Sequence, residues 1–222
     1  MSKRTLGVVA TLVICIICTS VIVIHFTNAS SSAREYSIME PYDYDSIIKS
    51  ARWRAILARS DRGAELAIPE DIYVNMSTDA LLKSVVSYPF LIDITAFNSY
   101  REGFMTLFHE REELYHEINE LVSRDDFGSV LINEYKDMPI VHPEFEYNIY
   151  LELMEILIAQ PEVTGGLPES DLYTLAEVAE QKHDEKAAAN HIYSSSDTFY
   201  QAVAENVGSA LYSVVVSSTV ER

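Results

Sequence analysis

The segment that most restricts how this chain can fold is an uncharged apolar run of 19 residues at positions 6–24. At a rise of about 1.5 Å per residue, a helix of that length nearly crosses a hydrocarbon core of about 30 Å. Lys3 and Arg4 precede the run, and basic residues at this position favour a cytoplasmic N-terminus. The run therefore predicts a membrane-spanning segment that places the remaining residues on the extracytoplasmic side.

A cleaved signal peptide is the alternative interpretation of residues 1–27, because the sequence FTNASSSA offers small residues at cleavage-like spacing. The apolar region of a signal peptide is usually only about 7–15 residues long, which favours a retained anchor. The predicted location is thus the cell membrane with the domain outside, or the exterior if the segment is cleaved. Cys15 and Cys18 both lie inside the run. The exported part consequently has no thiol for a disulfide, a zinc finger or a cysteine nucleophile.

The sequence after the run predicts an all-α fold, a compact bundle of about seven to eight helices behind the membrane-spanning segment. Residues 28–44 are rich in serine and other polar residues and predict a tether. Residues 45–222 predict a single helical extracytoplasmic domain, because they contain no strict period-two alternation bounded by hairpin turns. The β-branched tail predicts either a helix end or a final strand. The predicted helices span residues 45–59, 78–87, 89–97, 100–122, 124–136, 144–159, 170–189 and 198–215.

The sequence MSTDALLKSVVSYPFLID at residues 76–93 predicts a helix, a corner and a second helix. Ser77 is placed to cap the first helix, and Asp79 lies in the first turn, where the helix dipole favours a carboxylate. Pro89 disfavours helical dihedrals at Tyr88 but suits the start of a new helix. The sequence SYRE beginning at Ser99 has the capping-box pattern and predicts the start of the next helix.

This motif, followed by AFNSYREGF and RDDFGSVLINEYKDM, resembles uncharacterised exported helical proteins of Firmicutes and related Gram-positive bacteria. The resemblance covers roughly residues 68–138. It implies a bacterial, extracytoplasmic, helical domain. Because these proteins carry no assigned activity, the resemblance transfers no catalytic residue.

The chain is strongly acidic, with a formal net charge of −18. Since Lys3 and Arg4 are the only charged residues before Arg34, the remainder carries about −20. A surface of this sign repels phosphate backbones, so nucleic acid is not an expected partner. The expected partners are the membrane, through residues 6–24, and a protein, peptide or cell-wall component. The 14 tyrosines favour either amphipathic core edges or a recognition surface.

Two Glu-x-x-His pairs have the spacing that supplies ligands in di-metal helical bundles. The candidate metal ligands are His109, Glu113, His116, Glu180 and His183. On a continuous helix over residues 100–122, Glu113 and His116 are expected to face solvent, which disfavours an inward-facing metal site. His183 shares a stripe with Leu172 and Leu175, where a hydrogen-bonded core histidine is the usual case. We therefore expect no cofactor, with a divalent metal as the alternative.

The sequence contains neither a nucleophile elbow nor a phosphate-binding glycine-rich loop. It therefore favours a non-enzymatic extracytoplasmic interaction module at the cell surface. The alternative is an exported hydrolase or metal-dependent enzyme whose site follows no known motif. No catalytic residue can be selected among so many carboxylates.

Overall fold

A computed structural model of the chain describes residues 35–140, 145–189, 202–206 and 208, without the side chains of residues 145–148. None of the helices in these ranges is long and apolar enough to cross a membrane. The apolar run at residues 6–24 lies outside the described residues, as do the C-terminal tail and most of the predicted helix over residues 198–215.

The described residues confirm the all-α prediction, because they form helices joined by short turns and no strand. An isolated parallel bridge joins Ile38 and Met76. Residues 202–206 are also helical. The α-helices are α1 (Tyr44–Lys49), α2 (Ala51–Ala55), α3 (Arg59–Leu66), α4 (Glu70–Tyr73), α5 (Thr78–Val86), α6 (Tyr100–Met105), α7 (Tyr115–Val122), α8 (Phe127–Asp137), α9 (Phe145–Ile158), α10 (Pro161–Thr164) and α11 (Glu169–Ala188).

The packed unit begins at Tyr36, within the segment that the sequence assigns to a tether. The backbone N–H groups of Ser37 and Ile38 donate to the Asn75 carbonyl at 3.1 and 3.0 Å, and Ser77 N–H donates to the Ile38 carbonyl at 2.8 Å. Ser37 and Ile38 therefore lie against the turn between α4 and α5.

Helix breaks account for most differences between the predicted and the observed elements in the first half of the domain. The predicted helix over residues 45–59 is divided at Ser50, which ends α1 and whose hydroxyl accepts from the Trp53 N–H at 3.0 Å to begin α2. The short helices α3, α4 and α10 were not predicted. The described residues consequently contain more and shorter helices than the seven to eight expected.

The corner predicted from the motif at residues 76–93 is confirmed. The Ser77 hydroxyl accepts from the Ala80 N–H at 3.1 Å, and the Ser99 hydroxyl accepts from the Glu102 N–H at 3.1 Å. The element that follows the corner is a 3₁₀-helix over Leu91–Ala96 rather than the predicted α-helix. A Cβ at Gly103 would lie 2.5 Å from the Ile94 carbonyl oxygen, so α6 packs directly against this 3₁₀-helix.

The predicted helix over residues 100–122 is wrong in its middle. After α6 the chain forms a π-helical turn over Thr106–Glu110, and α7 begins only at Tyr115. Glu112 and Leu114 between them have left-handed φ values of 55° and 60°. We refer to residues 111–114 as the 111–114 corner.

A single hydrophobic core joins these elements. Its members come mainly from the helices, the 3₁₀-helix and the π-turn, and the partly buried Ile38 and Tyr42 before α1 pack against it. The largest fully buried side chains are Leu66, Met76, Leu81, Leu82, Leu91, Ile94, Phe104, Leu107, Ile118, Phe127 and Tyr135.

Candidate functional site

A cleft of about 870 Å³ opens between α3, α4 and the segment that carries the 111–114 corner and the start of α7. This volume is within the range of about 300–1,000 Å³ that is usual for ligand sites. The lining combines glutamates, two arginines, tyrosines and aliphatic side chains. The lining residues are Arg59, Ser60, Gly63, Ala64, Ala67, Ile68, Glu70, Tyr73, Tyr88, Glu110, Arg111, Glu112, Glu113, Leu114, His116 and Glu117.

An ion pair between Arg59 and Glu113 forms part of the cleft wall. The two guanidinium nitrogens Nη1 and Nη2 of Arg59 donate to the carboxylate at 2.8 and 3.0 Å, and the Tyr88 hydroxyl donates to Glu113 Oε2 at 2.6 Å. Arg59 also donates from Nε and Nη2 to Asp93 Oδ2 at 3.2 and 2.9 Å. Bidentate pairs of this type fix geometry as well as charge. The guanidinium of Arg59 is therefore held on two carboxylates.

Burial and hydrogen bonding both act on the protonation of this cluster. Burial raises the pKa of Tyr88, and its hydrogen bond to Glu113 raises that pKa further, so the phenol stays protonated and remains a donor. Burial alone would lower the pKa of Arg59, but the hydrogen bonds that Arg59 donates to Glu113 and Asp93 outweigh it, and the net pKa is raised. Tyr88 and Arg59 therefore both stay protonated and act as donors to Glu113.

Two local features let α3 approach Glu113 closely. Gly63 has no side chain on this face, and a Cβ there would lie 3.1 Å from Glu113 Oε1. The guanidinium carbon of Arg59 lies 3.4 Å from the centre of the Phe90 ring, a cation–π geometry. Glycine on α3 and an aromatic ring beyond it therefore determine where the ion pair lies.

The 111–114 corner presents Glu113 to this cluster at a cost in backbone conformation. A left-handed φ costs a residue with a side chain roughly 1–2 kcal/mol, and the corner contains two such residues, Glu112 and Leu114. Leu114 is buried in the core, and the Glu113 side chain is only 8% exposed. Core burial and the Arg59 ion pair therefore outweigh the strain, as is common at functional sites.

Glu117, in the first turn of α7, is a second buried carboxyl group in the cleft wall. It is 5% exposed, and its Oε1 accepts from the Ile68 N–H at 3.1 Å. Within the described residues it forms no ion pair. Burial raises its pKa, against the opposing effect of backbone N–H hydrogen bonds and of nearby His116.

Among the described residues, the structure does not bring the predicted metal ligands together into one metal site. Glu113 does not face solvent as the continuous helix predicted, because the chain leaves the helix at Arg111 and turns this side chain inward onto Arg59. His109 is exposed and lies 3.8 Å from a carboxylate oxygen of Glu162. His116 lines the cleft.

The second predicted pair lies on α11. Glu180 is exposed, whereas His183 is half-buried and its Nδ1 lies 3.7 Å from Asp184. Across the part of the chain that the structure describes, no group of three or more metal-ligating side chains is assembled.

Sequence reasoning did not identify Arg59, Tyr88 and Glu117 as site residues. Their positions are separated by up to 58 residues, and no motif connects them. The one available signal is compositional: Gly63 in the middle of a polar helical stretch, where glycine is costly unless something packs closely against it. That signal alone does not name the partner.

No known protein family, curated protein or solved structure matches the chain. The cleft is the feature of the described residues that bears most directly on function.

Proposed function

We propose that this chain is a non-enzymatic, extracytoplasmic helical module that binds a partner at a bacterial cell surface through the cleft between α3, α4 and the 111–114 corner. The apolar run at residues 6–24 and the resemblance to exported Gram-positive proteins support the location. The cleft supports the binding role, because a preformed concavity with a few placed polar groups is the usual form of a ligand site.

The observation that carries this proposal is that the ionisable groups of the cleft wall around Arg59 are already engaged with one another. A general base must be able to take a proton, and a nucleophile must reach its substrate. Glu113 is held by Arg59 and Tyr88, and the hydrogen bonds to Glu113 and Asp93 occupy the Arg59 guanidinium. Such a cluster gives the cleft a rigid shape and charge pattern, which suits recognition more than turnover.

The test is site-specific photo-crosslinking of the full-length chain in native envelopes. A benzophenone amino acid replaces the exposed, cleft-lining Ala67, and in a matched protein it replaces the exposed Ala187 on α11, which does not line the cleft. We expect a discrete crosslinked species from position 67 and not from position 187. The substitution Ala64→Trp, which fills the cleft from an exposed position, should remove that species.

Crosslinking that is equal from both positions, or that persists when Ala64→Trp fills the cleft, would contradict the proposal. The control for the added tryptophan is Ala187→Trp in the protein that carries benzophenone at position 67. This variant should retain the crosslinked species.

A hydrolase is the second candidate function, and one observation favours it. The raised pKa of Glu117 is a property of general acids, which must be protonated near neutral pH. This candidate predicts hydrolysis of peptide or glycan substrates by the wild-type chain and none by Glu117→Gln. A metal-dependent enzyme would in addition show bound metal on purification, or a higher melting temperature with zinc, manganese or iron.

A further inference from the structure

We infer that the cleft receives a positively charged side chain, a lysine or arginine of a partner polypeptide, and that the Glu117 carboxylate is its anchor. This inference rests on the proposed binding function and gives the chemical class of the partner.

The net charge of the cleft lining favours a cationic ligand. Its carboxylates are those of Glu70, Glu110, Glu112, Glu113 and Glu117, and its permanent cations are Arg59 and Arg111. Arg59 is engaged by Glu113 and Asp93, and the Arg111 guanidinium lies 4.0 Å from Asp93. The lining therefore has an excess of negative charge, and a cation entering the cleft meets an attractive potential.

The burial of Glu117 favours a cationic ligand as well, whatever the net charge of the lining. A carboxyl group that is nine-tenths buried is normally paired with a cation, because desolvation of an isolated charge is costly. Glu117 has backbone N–H donors and, among the described residues, no ion pair. It also lines the cleft, so a ligand cation can supply the ionic partner that its backbone donors do not provide.

The remaining lining suits the stem of such a side chain. Ile68 and Leu114 give the cleft apolar surface, and the Tyr73 and Tyr88 rings also line it. Lysine and arginine bury their aliphatic stems on apolar surface, and their charged ends interact favourably with aromatic rings. A cleft of about 870 Å³ has room for more than one side chain, which favours a polypeptide over a simple amine.

Because the proposed anchor is a buried carboxyl group, the affinity for a cationic ligand should depend on pH. A cation bound to a carboxylate favours the ionised form, so binding must lower the pKa of Glu117 and release a proton. Affinity should therefore rise with pH through the range where free Glu117 ionises. The other titratable groups that act on or face this carboxyl group are Tyr44 from α1, Tyr73 and Glu70 from α4, Glu113 and His116.

The test measures binding of a short lysine-rich fluorescent peptide to the full-length chain in a neutral detergent. The matched probe is the same peptide with its lysines acetylated, which keeps the stems and removes the charge. We expect binding of the lysine peptide only, weakened about tenfold or more by Glu117→Gln, as for loss of a charge-assisted contact. The exposed Glu177→Gln on α11, which removes the same charge outside the cleft, should leave affinity unchanged.

The pH dependence of peptide affinity distinguishes a direct contact with Glu117 from a general effect of the acidic surface. As pH rises above 4.5, the ordinary pKa of a glutamate, affinity of the wild-type chain should increase, and Glu117→Gln should lose most of that increase. His116→Gln should retain it. If His116→Gln abolishes the increase and Glu117→Gln does not, the anchor is wrongly assigned.

Three further results would overturn the inference: equal binding of the acetylated peptide, full affinity in Glu117→Gln, or binding of spermine in the cleft with none of the peptide. A cleft-dependent crosslink in envelopes to a partner that lacks basic segments would overturn this inference and leave the proposed function intact. Absence of any cleft-dependent crosslink would remove both.

Discussion

At the scale of single residues, burial distinguishes three carboxyl groups whose ionisation affects the stability of the fold. Most acidic side chains among the described residues are solvated, whereas Glu113, Glu117 and Glu155 are almost fully buried. Glu113 and Glu155 have cationic partners, Arg59 and Lys186. Glu117 has backbone donors, and burial raises its pKa. A buried carboxyl group without a cation lowers stability when it is ionised.

The residue-scale prediction concerns Glu117→Gln, which keeps the shape and the acceptor for the Ile68 N–H. The folded-state pKa of Glu117 is raised above its ordinary value of 4.5, so the stability that Glu117 contributes is present below that value and is lost as pH rises through the folded-state pKa. Glutamine is neutral throughout. We expect the variant to be more stable than wild type by about 1 kcal/mol at neutral pH.

Chemical denaturation of both proteins across pH measures this difference. The advantage of the variant should disappear at about pH 4, where Glu117 is protonated in both the folded and the unfolded state. A difference in unfolding free energy that stays constant with pH would show that ionisation of Glu117 is not its cause.

At the scale of elements, helix breaks place the site residues. The π-turn over Thr106–Glu110 and the 111–114 corner interrupt what the sequence pattern presents as one long helix. An uninterrupted helix would project Glu113 into solvent. The break instead places it on Arg59 of α3, while Leu114 enters the core. Local propensity is a weak preference that such tertiary contacts override.

The element-scale prediction concerns the strain in the corner. Glu112 is exposed and has a φ of 55°, so Glu112→Gly relieves about 1–2 kcal/mol of left-handed strain and costs about 0.5–1 kcal/mol in unfolded-state entropy. We expect net stabilisation of roughly 0.5–1 kcal/mol in denaturant unfolding. Glu110→Gly, in the π-turn where φ is negative, is the matched control and should destabilise the protein. Destabilisation by Glu112→Gly would mean that the corner carries no relievable strain.

At the scale of the whole molecule, a buried ion pair and its hydrogen bonds join helices that are distant in sequence. Lys186 of α11 donates to both carboxylate oxygens of Glu155 in α9, at 2.6 and 2.8 Å, and the Tyr135 hydroxyl of α8 donates to the same group at 3.0 Å. Lys182 Nζ donates to the Met138 carbonyl at 2.5 Å, and burial lowers its pKa. This network lines no described cleft, and its effect is to fix α8, α9 and α11 together.

One whole-molecule prediction tests this network by a double-mutant cycle. Lys186→Met leaves the Glu155 carboxylate buried without its cation and should destabilise the protein by about 3–5 kcal/mol. Combining it with Glu155→Gln removes the uncompensated charge and keeps an acceptor for Tyr135. The double variant should therefore be more stable than Lys186→Met alone. Strict additivity of the two single effects in denaturant unfolding would show that the pair does not interact.

The other whole-molecule prediction concerns location. The proposed anchor at residues 6–24 should bring the full-length chain to the membrane fraction, where protease added outside intact protoplasts digests the folded domain. Deletion of residues 1–27 should abolish both export and membrane association. Recovery of the full-length chain from the cytosol with residues 1–27 intact would contradict the anchor and the cell-surface role together.

The sequence by itself determined the helical class, the caps at Ser77 and Ser99 and the approximate bounds of α5, α8, α9 and α11. These features depend on apolar periodicity and on side chains that hydrogen-bond to the backbone a few residues away. Because they are local, they can be predicted from the sequence. The tertiary structure alone decided the cleft. Arg59, Tyr88, Glu113 and Glu117 come together because burying Leu114 and pairing Arg59 outweigh the local preference for a continuous helix. That balance depends on contacts between residues far apart in sequence.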